Sequence, residues 1–246
     1  MDYSVIDIHM HVVPNYDDGA TNLDESIAML KMAEEQGVTD VFCTSHNGYT
    51  LEDVESYKRH FELLKDRLFQ ENVNVNLHQG CEILTAGEYV DDVLYGVDVG
   101  AFPTLGGTKY VLIEFYTDTM PSEATQIIKR VIEKGYKPII AHMERNYNLS
   151  ETMVGLLIQM GALVQVNAFS FVSESSGVLK TRARTLLQKR YVHFIGSDAH
   201  RLNHRPPNVR SGVEYIIANV DENYAQEILN GNAKNLLLKG DAHYDE

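Results

Sequence analysis

Histidines and carboxylates recur where the chain leaves its short apolar runs, which is where metal-assisted hydrolysis would need them. His9-Met-His11 closes the first run, His46 follows the second and Glu82 the third. Glu114 lies inside the fourth, His142 ends the fifth, and Asp198-Ala-His200 closes the last. Residues i and i+2 of a strand point to the same side, so the imidazoles of His9 and His11 can reach one ion. Asp198 and His200 repeat that geometry with a carboxylate and an imidazole. Glu82 and Glu114 could bridge ions through their paired oxygens. A nitrogen-and-oxygen donor set suits Mn, Fe, Co or Zn rather than a thiolate zinc site. One His-x-His pair says little by itself; six strand ends, each with a ligand-type residue, point to a common centre.

The elements that must position these residues alternate along the whole chain. Strand-like runs fall at Val5–His9, Asp40–Thr44, Val73–Gly80, Tyr110–Phe115, Pro138–His142, Ala162–Asn167 and Tyr191–Gly196. Amphipathic stretches lie between them. Asn22-Leu-Asp-Glu25 has capping-box spacing before Ser26–Gln36, with Gly37 to close it. Glu52–Glu71 reads as a long helix, Pro121 as a first helical residue of one ending near Gly135, and Ser150 as the cap of Glu151–Met160. Val178–Lys189, Val213–Asn219 and Asn223–Leu229 complete the set, and Asp241–Glu246 reads as a tail. This alternation predicts a parallel sheet with helices outside, either a closed barrel or an open doubly wound sheet. No glycine-rich phosphate loop follows the first run, where an open nucleotide-binding sheet would carry one. In a barrel, all carboxyl strand ends share one face, and the residues above would meet in one bowl.

Composition narrows the function further. At 246 residues and 44% hydrophobic, the chain can bury the core of one large domain, residues 1–246. A net charge of -14 makes nucleic acid a poor partner. No run is long and apolar enough for membrane insertion, and Met1–His11 lacks the features of a signal peptide, so the expected location is cytoplasmic. The two cysteines, Cys43 and Cys81, fit a reducing compartment. Neither starts a Cys-x5-Arg phosphate loop, since Tyr49 and Gly87 stand at the required positions, and no G-x-S-x-G elbow is present. His60, His78, His193 and His243 read as structural, whereas His204 beside Arg205 lies near the expected mouth. Asp7 could orient an imidazole from behind or serve a turn or a salt bridge, and Asp17 competes with Asp18 for a ligand role. The oligomeric state stays open.

Asp7-Ile-His9-Met-His11, Asp17-Asp18-Gly19, Thr44-Ser-His46, Gly80-Cys-Glu82, Ala141-His142-Met-Glu-Arg145, Gly196-Ser-Asp198-Ala-His200 and Arg205-Pro-Pro207 resemble the motifs of the polymerase-and-histidinol-phosphatase superfamily. Within it, the pattern is similar to the bacterial manganese-dependent protein-tyrosine phosphatases of capsule and exopolysaccharide clusters. That resemblance implies a distorted (β/α)7 TIM-like barrel and up to three divalent ions, Mn2+ first among them. By the same analogy one ion takes His9, His11, Glu82 and Asp198, a second Glu82, Glu114 and His142, and a third Asp18, His46 and His200. Arg145 and Arg205 would hold the phosphate, with His200 a candidate proton donor. The implied partner is a phosphotyrosine protein, an autophosphorylating tyrosine kinase of polysaccharide synthesis. The competing reading is a small-molecule phosphomonoesterase of the histidinol-phosphate type.

Overall fold

A computed structural model describes residues 3–48, 51–173 and 177–240; His243 and the Asp241–Glu246 tail lie outside the described residues. Two parallel sheets make up the strand framework. One holds β1 (Val5–Met10), β2 (Val38–Cys43) and β3 (Asn76–Gln79). The other runs in the order β4 (Glu82–Thr85), β5 (Tyr110–Phe115), β6 (Lys137–Ile140), β7 (Leu163–Asn167) and β8 (Phe194–Gly196).

Two seams join the sheets into a ring. At one, His11 N donates to Ala199 O at 2.9 Å and Asp198 N to His9 O at 2.8 Å. At the other, Glu82 N donates to Ser45 O at 3.0 Å and Asn47 N to Glu82 O at 3.1 Å. Only Gly80 and Cys81 separate β3 from β4, so these are two halves of one stave, and the barrel has seven staves, distorted at that break. The sequence run Val73–Gly80 covers only the first half. A Cβ on Gly80 would stand 2.9 Å from Leu105 and 3.0 Å from Thr44, so the turn between the halves needs glycine.

Helices fill the connections: α1 (Leu23–Glu34), α2 (Leu51–Gln70), α3 (Val90–Asp98), α4 (Pro121–Glu133), α5 (Glu151–Gln159), α6 (Gly177–Gln188), α7 (Arg210–Asn219), α8 (Glu222–Gln226) and α9 (Asn232–Gly240). Helix starts follow the sequence signals. Asn22 Oδ1 accepts from Glu25 N at 2.9 Å, Pro121 opens α4, and Ser150 Oγ accepts from Met153 N at 3.3 Å. Glu25 reaches back to Thr21 N rather than to the cap residue, so the box is displaced by one position. Helices α3 and α9 are additions to the elements expected from sequence.

The interior below the bowl is apolar. Ile6 and Ile8 of β1, Phe42 of β2, Leu112 of β5, Ile139 of β6 and Phe194 of β8 form one buried cluster with Leu105 and Leu236. Side chains from staves around the ring can meet only inside it, so this set is the floor of the barrel. The same strand faces then turn polar. Phe42 gives way to His46 four residues on, Leu112 to Glu114 two on, and Phe194 to Asp198 four on.

Candidate metal centre

Every predicted ligand arrives at the carboxyl end of the barrel, and together the nine form four overlapping groups. These are His11, Asp18, His46 and His200; His9, His11 and Asp198; His9, Glu82 and His142; and His46, Glu82 and Glu114. Within each group the ligand atoms lie inside 4.8 Å of one another. Glu82 stands at the middle. Its Oε2 is 3.2 Å from His9 Nε2, 3.1 Å from His11 Nε2 and 3.3 Å from His46 Nδ1, and its Oε1 is 2.9 Å from His142 Nε2. Glu114 Oε1 is 3.4 Å from His142 Nε2. Asp18 Oδ1 faces His46 Nε2 at 3.6 Å and His200 Nε2 at 3.5 Å.

The outer nitrogens decide whether cations fit. His9 Nδ1 meets Gln165 Oε1 at 3.2 Å, His11 Nδ1 meets Asp17 Oδ2 at 2.8 Å, and His200 Nδ1 meets Asp198 O at 3.0 Å. Each outer partner is an acceptor, so it takes the ring proton and leaves the inner Nε2 lone pair bare. The Nε2 atoms of His9 and His11 then face each other at 3.2 Å, two acceptors aimed at one space already lined by carboxylate oxygens. A shared cation satisfies such a set, and the residues fit divalent ions with nitrogen and oxygen ligands.

The electrostatics agree. Burial opposes ionisation of Glu82, but the facing His9 ring and the bonds from His11 and His142 outweigh it and hold the carboxyl well below the usual carboxylate range. Burial likewise disfavours a charged His142, yet Glu114 and Glu82 push it up to about 10. The carboxylates thus impose a strong negative potential on the centre, which bound cations would answer.

Asp17 and Asp18 divide the two roles between them. Asp17 sits behind the centre: Oδ2 holds His11 Nδ1 and accepts from His46 N at 3.0 Å, and Oδ1 accepts from Gly19 N at 2.9 Å. Asp18 is the one whose carboxylate faces the group. A Cβ on Gly19 would lie 2.2 Å from His11 O and 2.7 Å from His11 Cβ, so only glycine lets this loop approach β1.

Asp198 faces two ways. Its Oδ1 is 3.6 Å from His9 Nε2, 3.7 Å from His11 Nε2 and 3.6 Å from His200 Nδ1. Its Oδ2 receives Arg145 Nη2 at 2.5 Å, Arg205 Nη1 at 3.0 Å and Asn167 Nδ2 at 3.0 Å. Both arginines are therefore moored beside the centre, still partly open to water. Arg205 Nη2 also donates to His200 Nε2 at 2.7 Å. Burial and the adjacent His11 ring push His200 down to about 4. With one nitrogen spent on a carbonyl and the other accepting, its bonding suits ligation better than proton donation. His142, Asp198 and Arg205 all have positive φ (28°, 52° and 53°), strained for residues with a Cβ and concentrated at this centre.

Several supporting residues escaped the sequence reading. Gln165 Oε1 also accepts from His142 N at 2.7 Å, and Gln165 Nε2 donates to Asn167 Oδ1 at 2.8 Å. Their only signal was period two: both lie on one face at the end of the stave that offered no ligand. Asp7 does not touch an imidazole; its Oδ1 accepts from His9 N at 3.1 Å and Ser197 N at 2.9 Å, tying β1 across the seam. Among the histidines read as structural, His78 pairs with Asp40 at 2.9 Å and His193 Nδ1 accepts from Val164 N at 3.1 Å. His204 is exposed and outside the four groups.

A seven-stave parallel barrel with imidazoles and carboxylates gathered at its carboxyl mouth defines a barrel hydrolase of the metal-dependent kind. The sequence profile described as capsular polysaccharide synthesis, CpsB/CapC, matches residues 5–238, and the chain belongs to that family. It is 31% identical over 249 residues to the tyrosine-protein phosphatase CpsB of Streptococcus agalactiae serotype V, covering 95% of this chain and 98% of the relative. It is 33% identical over 205 residues to the tyrosine-protein phosphatase YwqE of Bacillus subtilis, covering 82% and 79%. Among solved structures, those of YwqE from Bacillus subtilis and CpsB from Streptococcus pneumoniae, unique metal-dependent tyrosine phosphatases, give a TM-score of 0.84 at 30% identity, covering 95% of this chain and 94% of the other. The phosphotriesterase homology protein of Escherichia coli shares the fold, with a TM-score of 0.60 at 11% identity over 96% and 99%.

Proposed function

We propose that the chain is a metal-dependent protein-tyrosine phosphatase, a single metallophosphatase domain over residues 1–246 that works in the cytoplasm. Its substrate is a phosphotyrosine protein, in this reading an autophosphorylating tyrosine kinase of capsular or exopolysaccharide synthesis. The observation that carries the reading is the set of inward-facing Nε2 atoms and carboxylates around Glu82, flanked by two arginines. Relatives of nearly the same length carry the tyrosine-phosphatase name. The described residues contain no helix long and apolar enough to cross a membrane.

His9, His11, Asp18, His46, Glu82, Glu114, His142, Asp198 and His200 would hold up to three ions, Mn2+ by preference. Such ions, when bound, lower the pKa of a coordinated water and neutralise phosphoryl oxygens. The chain's own residues do the rest. Arg145 and Arg205 offer charge-assisted hydrogen bonds that orient the phosphoryl group and stabilise charge on its oxygens. Their mooring on Asp198 holds them beside the centre, where a phosphoryl group would bind. Gln165 and Asp17 keep the His9 and His11 lone pairs aimed inward. Tyrosine leaves as a phenolate of pKa about 10, so a weak proton donor suffices.

The test is turnover of a phosphotyrosine peptide and of histidinol phosphate before and after metal removal. The expected result is peptide hydrolysis abolished by chelation and restored by Mn2+. Full activity in chelator would refute the metal role, and preference for histidinol phosphate would favour the small-molecule alternative.

A further inference from the structure

Near the carboxyl ends of four adjacent staves, β5 to β8, one sequence spacing recurs. Two residues beyond a side chain of the centre or its support, each carries a large apolar side chain left in water. Tyr116 follows Glu114 and is 46% exposed, Tyr147 follows Arg145 at 52%, Phe169 follows Asn167 at 43%, and Leu202 follows His200 at 37%. Isolated exposed apolar residues are ordinary on any surface. Here they recur one per stave, at the rim of a highly charged hollow. Tyrosine and phenylalanine are the residues that protein–protein contacts favour, whereas a rim built for a small polar ester would offer hydroxyls and charges.

Beside Tyr116 the rim sinks into a cavity of about 390 Å3, lined by Leu84, Tyr89, Phe102 and Tyr116, with Asp92 at its edge. Leu84 is the register partner of Glu114 across β4 and β5, and it lies two residues past Glu82. The cavity therefore opens on the flank of the centre, along the same two strands. A two-residue step in an extended chain spans roughly 6–7 Å. Glu82 and Leu84 are separated by the same two-residue step along β4, so a peptide lying extended along this edge, its phosphotyrosine reaching down to the centre, would carry its alternate side chains at the spacing of the cavity.

We propose that the rim is a peptide-docking surface, and that the Leu84–Tyr89–Phe102–Tyr116 cavity seats an aromatic or large aliphatic side chain two residues from the substrate's phosphotyrosine. The proposal rests on the phosphotyrosine reading and adds a sequence preference to it. Sinking one such side chain is worth roughly tenfold, somewhat less than the full burial of a Leu or Phe.

The experiment compares the manganese-loaded full chain with the Tyr89→Ser/Tyr116→Ser double variant. Both side chains are exposed, so the variant should fold, and neither belongs to the proposed ligand or arginine set. The substrates are p-nitrophenyl phosphate, a phosphotyrosine peptide with Phe or Leu two residues to either side, and the same peptide with Ser there. The wild type is expected to favour the apolar-flanked peptide roughly tenfold in kcat/KM, mostly through KM. The variant should lose that preference while keeping p-nitrophenyl phosphate turnover within about twofold. Equal rates on both peptides would overturn this inference alone. A variant weakened equally on all three substrates would overturn it as well, since the residues would then be structural. A wild type active on p-nitrophenyl phosphate but on neither peptide would overturn it together with the phosphotyrosine reading.

Discussion

Replacing Gln165 with leucine removes one amide and disturbs two histidines at once, the His9 ring and the His142 backbone. The side chain is wholly buried, and its Oε1 serves both His9 Nδ1 and His142 N, while its Nε2 serves Asn167 Oδ1. Leucine fills similar space but offers no partner. Two donors and one acceptor are stranded, and each unsatisfied buried group costs about 1–3 kcal/mol. Even if one finds a water, the loss is on the order of 3 kcal/mol. The metal penalty is a matter of geometry: without the Gln165 acceptor, His9 is free to carry its proton on Nε2, the nitrogen that faces Glu82 and His11. Loss of such outer partners lowers metal affinity roughly 10–100-fold. Dialysis against buffered Mn2+, followed by elemental analysis, would read that shift directly. Gln165→Glu keeps an acceptor for His9 and should fall between the two. A Gln165→Leu protein that binds Mn2+ as tightly as the wild type would refute the orienting role.

Three further outcomes are expected. Arg205→Ala removes charge-assisted hydrogen bonds worth about 1.5–3 kcal/mol, so kcat/KM on a phosphotyrosine peptide should fall roughly 10–100-fold with bound metal unchanged. Full activity would exclude the phosphate role. Gly19→Ala drives a Cβ into the His11 backbone; the loop must shift at a cost of about 1–3 kcal/mol, and metal analysis should show partial loss of occupancy. His193 is held near 4, below its ordinary 6.5, because burial disfavours its charged form. The unfolded chain therefore takes the proton first; the contribution is complete above about pH 6.5 and is lost as pH falls toward 4, on the order of 2–3 kcal/mol after allowing for partial exposure. Urea unfolding of metal-free wild type and His193→Asn, whose amide oxygen replaces the Nδ1 acceptor, should show a smaller pH slope in the variant.

The part of the centre written in local pattern was legible from the sequence. His9, His46, Glu114, His142 and Asp198 stand where apolar strand faces end, and the strand period turns Phe42, Leu112 and Phe194 into the floor beneath them. The hidden part depended on distant partners. Gln165 is an ordinary strand amide until β1 arrives, 156 residues away in sequence, and gives it His9 to hold. Asp17 and Asp18 are chemically alike, and only the turn at Gly19 sets one behind His11 and the other in front of His46. The split at Gly80 was hidden for the same reason: β3 pairs with the body of β2, whereas β4 bridges to His46, beyond the end of β2, and no local signal records that change of partner.

The two seams explain why the centre and the fold stand or fall together. One is closed by the backbones of His9, His11 and Asp198, the other by those of Ser45, Asn47 and Glu82. His9, His11, Glu82 and Asp198, which aim side chains into the hollow, thus also lock the ring with their own amides and carbonyls. Asp198 concentrates this coupling: its amide bonds β1, its Oδ1 faces three imidazoles, and its Oδ2 moors both arginines. The positive φ at that residue is the strained backbone from which one carboxylate faces imidazoles on one oxygen and guanidinium groups on the other. The imidazoles and the arginines therefore meet at one side chain but on separate oxygens, Oδ1 toward the rings and Oδ2 toward the guanidinium groups, so drawing Arg205 off Asp198 leaves the Oδ1 side of the centre in place.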